Sequence, residues 1–126
     1  MKKFDFRKTK DKQEVLAIVK EKYGISIDFY DVNTHFSRVN KSKPVWWIEI
    51  PMSEIEEKFN VINLIVVDSS GGVVLMQVPV KYFLDNVANK KIKVRDDKNK
   101  IHLEIDVRSY RDVIGMGEVS FKQFEP

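Results

Sequence analysis

Two runs of the chain, Val61–Val67 and Val73–Val78, are apolar at nearly every position and flank Asp68-Ser69-Ser70-Gly71-Gly72. Short continuous apolar runs fit strands buried on both faces, and the paired glycines permit the positive φ angles of a tight loop, so the two runs predict a central hairpin. A second hairpin is predicted where Lys91–Arg95 and Ile101–Val107 straddle Asp96-Asp97-Lys98-Asn99-Lys100. In its second run Ile101, Leu103, Ile105 and Val107 alternate with His102, Glu104 and Asp106, the pattern of a strand with one wet face. Val45-Trp46-Trp47-Ile48-Glu49-Ile50 is a further strand, ended by Pro51. Ile25–Tyr30 alternates at its start and is also predicted as a strand, whereas the polar, basic residues 31–44 read as a long loop.

Helical spacing occupies the remainder. Asp11-Lys12-Gln13-Glu14 has the form of a capping box, and Val15, Leu16, Ile18, Val19 and Tyr23 recur at helical intervals up to Gly24, which predicts a helix over 11–23. Ser53-Glu54-Ile55-Glu56 opens a short helix with Ile55 and Phe59 turned inward. Pro79 precedes a third helix in which Val80, Phe83, Leu84 and Val87 form the apolar stripe and Asn89 ends the element. Ser109–Ile114 reads as a single helical turn, and beyond Gly115-Met116-Gly117 the residues Val119 and Phe121 mark a last short strand. Hairpins outnumber crossover units, so the expected class is α+β. One compact domain should span 1–126, with a mostly antiparallel or mixed sheet of five to six strands, an N-terminal helix and a second helix packed on it. Residues 1–10 form a basic arm and 115–126 a short strand and tail.

Composition adds exclusions. A chain of 126 residues, 43% of them hydrophobic, can fill one core without metal or disulfide. It has no cysteine, which removes disulfides, thiolate nucleophiles and cysteine-based metal sites. The N-terminus lacks the apolar core of a signal peptide, and no apolar stretch approaches the roughly 20 residues that cross a bilayer, so a cytoplasmic protein without membrane contact is expected.

The net charge is only +3, yet the cations are segregated. They concentrate in residues 1–12, where Lys2, Lys3, Arg7 and Lys8 lie, in the 38–43 stretch of Arg38, Lys41 and Lys43, and in the 90–100 stretch of Lys91, Lys93 and Arg95. If these meet on one face they make a footprint for a phosphate backbone; otherwise they are solvated turns. His35, Arg38, Asn40, Lys41 and Lys43 offer donors to phosphate or base edges, and Phe36 and a tryptophan, Trp46 or its neighbour Trp47, offer a stacking platform. Adjacent tryptophans on a regular strand face opposite ways, so at least one belongs to the core.

Motif-based chemistry is absent. Neither glycine cluster carries a P-loop or dinucleotide fingerprint, His35 and His102 lack zinc-protease spacing, and no serine lies in a nucleophile elbow. A metal-dependent nuclease needs an acid and a lysine alternating on one strand, but Pro51 stands where a lysine should follow Glu49. His102, Glu104 and Asp106 share one strand face and could form an oxygen and imidazole site, although a solvated face has the same pattern. No catalytic residue, metal ligand or cofactor is assigned. Three readings follow: a DNA- or RNA-binding module using His35, Phe36, Arg38, Lys41, Lys43, Trp46, Lys91, Lys93 and Arg95; a protein-interaction or homo-oligomerising domain using strand 45–50 or segment 119–124 as a sheet edge; and a metal-dependent enzyme using Glu104 and Asp106. The first is the expectation, because several separate features share it.

Overall fold

A computed structural model describes residues 3–56 and 59–126. In chain order the elements are α1 (Thr9–Tyr23), β1 (Thr34–Arg38), β2 (Val45–Pro51), α2 (Met52–Glu56), β3 (Val61–Val67), β4 (Val73–Pro79), α3 (Val80–Ala88), β5 (Lys93–Arg95), β6 (Lys100–Asp106) and a closing 3-10 turn, Lys122–Phe124. The expected α+β class is found, with the six strands divided between two three-stranded sheets. One has the order β1-β3-β4, with β1 parallel to β3 and β3 antiparallel to β4; the other, β2-β6-β5, is wholly antiparallel.

A corner between β1 and β2 joins the sheets. Val39 bridges Trp46, the Asn40 N–H donates to the Val45 carbonyl at 2.8 Å, and the buried Ser37 hydroxyl donates to the Trp47 carbonyl at 3.1 Å. The β3–β4 hairpin is apolar throughout because each of its faces serves a different core. Ile62, Leu64, Val66, Val74, Met76 and Val78 pack with Trp46, Ile48 and Ile50 of β2 and Ile101, Leu103 and Ile105 of β6, with Phe83 and Phe121 in the same cluster. The opposite parity, Ile65, Val67, Val73 and Leu75, packs with Phe4 and with Val15, Leu16 and Val19 of α1.

Several local expectations are corrected. Residues 25–30 form no strand; Ile25, Ile27 and Phe29 are half-buried over the α1 cluster, so their alternation reflects a covering segment without backbone pairing. A strand instead lies inside the predicted loop, at Thr34–Arg38. Helix α1 begins two residues early, since the Asp11 carboxylate accepts the Asp5 N–H at 2.7 Å in place of capping the helix. Leu84 is exposed on α3, which turns Val80 and Phe83 inward, with Val87 half-buried against the same core. Residues 109–114 are no helical turn: Arg111 and Asp112 bridge Ser120 and Ile105 singly. Val119 and Phe121 are buried without forming a strand.

Candidate nucleic-acid interface

The parallel register of β1 and β3 sets Arg38 beside Val67, so the segments leaving the two strands, 39–44 and 68–72, emerge at the same end. Phe36 and Arg38, two residues apart on β1, face the same side, and the N-terminal arm lies there. Arg38 Nη1 donates to the Phe4 carbonyl at 3.3 Å. The Phe6 ring stands 5.2 Å from that of Phe36 and 6.1 Å, stacked, from that of Phe4, and Lys12 Nζ lies 5.4 Å from the Phe36 ring centre. Arm and corner border a groove of about 640 Å³ lined by Phe6, Phe36 and Trp47, by Arg38, Asn40 and Lys41, and by the Asp5–Arg7 pair of the arm. A smaller cavity of about 210 Å³ adjoins it and shares Arg38, Val39 and Lys41.

Charge around these cavities is unevenly compensated. Arg7 donates from Nε and Nη2 to the half-buried Asp5 carboxylate at 3.0 Å, and these bonds, with the Arg7 backbone N–H, hold that carboxyl down at about 2. Arg7 is thereby spent locally. Lys3, Arg38 and Lys41, by contrast, have no carboxylate within ion-pair distance among the described residues. They supply a net positive field over an aromatic floor.

Trp46 is corrected as a binding residue. It is 0% exposed, and its indole Nε1 donates to the Val67 carbonyl at 2.9 Å, so no ligand ring can reach it. Trp47, 43% exposed and edge-on to His102 with ring centres 5.1 Å apart, occupies the groove in its place. Of the residues singled out in the sequence, Phe36, Arg38, Asn40, Lys41 and Trp47 come together there. His35 lines a separate cavity of about 440 Å³, its Nε2 2.8 Å from Glu54 Oε2.

The third basic stretch lines neither groove nor cavity, and among the described residues two of its six cations are in ion pairs. Arg95 pairs with Glu49 at 3.1 Å and Asp97 at 3.6 Å, Lys91 pairs with Glu118 at 3.1 Å, and Lys93 is exposed. Lys43 pairs with Glu104 at 3.1 Å. Lys2 lies outside the described residues.

His102 and Glu104 meet, with Nε2 3.3 Å from Oε2, but Asp106 does not join them. Burial alone would raise the Glu104 carboxyl, but hydrogen bonds from Lys43 and His102 outweigh it and hold that carboxyl below its ordinary range. Asp106 turns away to accept the backbone N–H groups of Arg108 at 2.7 Å and Ser109 at 3.1 Å. Among the described residues no group of three or more His, Asp or Glu side chains is placed to hold a metal ion, and no helix is long and apolar enough to cross a membrane.

The segments expected to pair with another chain are engaged internally. Strand β2 is an edge strand, paired along its length with β6 on one side and met on the other by the β1–β2 corner at Val45, Trp46 and Trp47; Val119 and Phe121 belong to the core. The outer edge of β4 is met by α1 at two points, where Lys22 Nζ donates to the Val73 carbonyl at 2.8 Å and the Tyr23 hydroxyl accepts the Leu75 N–H at 3.2 Å. Comparison with protein-family models, curated proteins and solved structures finds no match for this chain.

Proposed function

We propose that the protein is a small module that binds single-stranded nucleic acid, DNA or RNA, in the groove between its N-terminal arm and the β1–β2 corner. The observation that carries this reading is the coincidence of uncompensated cations with accessible aromatic surface: Arg38 and Lys41 flank a groove that also presents the exposed Trp47 and the half-buried Phe6 and Phe36. Cations along a groove track a phosphate backbone, while aromatic faces stack on bases of any identity. The role is binding without catalysis or cofactor, in a cytoplasmic setting.

A fluorescence titration with short single-stranded and duplex oligonucleotides tests the reading, since Trp47 is the exposed reporter and Trp46 is shielded. Single strands are expected to quench Trp47 and to bind less tightly as salt rises. Trp47→Ala should weaken binding by about 1–3 kcal/mol, the usual loss for one stacked base. Absence of any fluorescence or anisotropy change at low salt would contradict the proposal. Capture of another protein through a sheet edge has no comparable support: the β1–β2 corner meets the outer edge of β2 at Val45, Trp46 and Trp47, and α1 meets β4 at Val73 and Leu75.

A further inference from the structure

The cavity of about 210 Å³ beside the groove has a composition distinct from the groove itself. Phe4, Val39 and Val67 give it apolar walls, Lys3, Arg38 and Lys41 give it three cations against the single carboxylate of Asp68, and Ser69 borders it from an exposed loop. This is the chemistry of a site for a flat apolar ring carrying a phosphate. Because Arg38, Val39 and Lys41 line both spaces, a strand lying in the groove passes directly beside the cavity.

The loop wall is formed in advance. Asp68 Oδ1 accepts the Ser70 N–H at 3.0 Å, the Ser70 hydroxyl at 2.6 Å and the Gly72 N–H at 2.8 Å, and the Asp68 N–H donates to the Gly72 carbonyl at 2.9 Å. A ring entering the cavity therefore has no loop to order first, which conserves affinity. With Asp68 Oδ1 engaged by its own turn, Ser69 supplies the uncharged polar side chain at the site. Shape and apolar contact thus dominate over readout of a base edge.

Resting on the reading of the groove given above, we infer that this cavity receives one base unstacked from the bound strand, with Arg38 and Lys41 holding the phosphates on either side. Single strands are commonly recognised through splayed bases, and unstacking costs least in a strand that is already unpaired. The site should accept any of the bases with little discrimination.

The test uses the full chain and a short oligothymidylate in which an abasic residue replaces each position in turn. One position should lose roughly tenfold in affinity when its base is removed, and 2-aminopurine placed there should brighten on binding as it leaves the stack. Ser69→Trp, at an exposed loop position, fills the cavity; it should weaken the intact strand by a similar factor and abolish the difference between intact and abasic strands. Circular dichroism checks its fold, and the abasic series decides without it. Equal affinity for every abasic strand, together with no 2-aminopurine brightening, overturns the inference and leaves the groove standing. No binding of any strand overturns both.

Discussion

Gly115 sits where a Cβ would lie against the Lys91 carbonyl oxygen, far inside van der Waals contact, and 2.8 Å from Asp112 Oδ2. The neighbour that must yield is backbone, and the segment is held by the buried Asp112 carboxylate, which accepts the N–H groups of Glu104 at 3.1 Å and Gly115 at 3.2 Å. Gly115→Ala should therefore destabilise the fold by about 1–3 kcal/mol, the usual cost of overpacking, seen as a lower thermal midpoint. An unchanged midpoint would show that the 111–117 segment shifts freely. At the same scale, the tryptophan pair was half legible. Strand geometry requires Trp46 and Trp47 to face opposite ways, and the parity is written in the residues that follow. Ile48 and Ile50 share the face of Trp46, whereas Glu49 marks the wet face of Trp47. That parity was the signal that distinguishes Trp47 as the groove residue.

Among the elements, the hairpins and helices with strong local signals were read correctly, because turn residues and apolar period both lie within a few positions of each other. The β3–β4 and β5–β6 hairpins are of this kind. Strand β1 was not legible, since its partner is parallel and far along the chain, so no turn announces it, and its sequence Thr34-His35-Phe36-Ser37-Arg38 is mostly polar. The groove and the adjoining cavity depend on that pairing, which is why their residues could be nominated from the sequence only in part. The 68–72 loop carries an element-scale prediction. Burial raises the Asp68 carboxyl, but hydrogen bonds from Ser70 and Gly72 and the charge of Lys22 more than reverse this, leaving it below its ordinary value of 3.8. A folded-state pKa below the unfolded one means that Asp68 contributes stability above that ordinary value and loses it as pH falls through the folded value. Asp68→Ala should cost about 1–3 kcal/mol at neutral pH. The gap between variant and parent should narrow in denaturant titrations as the pH falls below 3.8. A gap that stays constant with pH would remove the carboxylate from the account of this turn.

Across the whole molecule, two apolar layers share the β3–β4 hairpin, one toward β2 and β6 and the other toward α1 and Phe4. The outer layer also anchors the arm, so the packing that stabilises α1 places Lys3 beside Arg38 and Lys41 around one cavity. The sequence displayed three basic stretches but could not show which of them meet. Two do, at the β1–β2 corner, while the third lines neither cavity there and has Arg95 paired to Glu49 and Asp97 and Lys91 paired to Glu118. Binding should accordingly depend on where charge is removed and not only on how much. The most direct measurement is the salt dependence of affinity for a labelled single strand, compared among the parent chain, Arg38→Ala/Lys41→Ala and Lys93→Ala/Lys98→Ala, two variants that remove equal charge. Each lost phosphate contact to a single strand lowers the log–log salt slope by about 0.7, so the groove variant should lose about 1.4 and the turn variant should match the parent. Equal losses in both variants, or a parent slope near zero, would contradict the assignment of the groove as the binding surface.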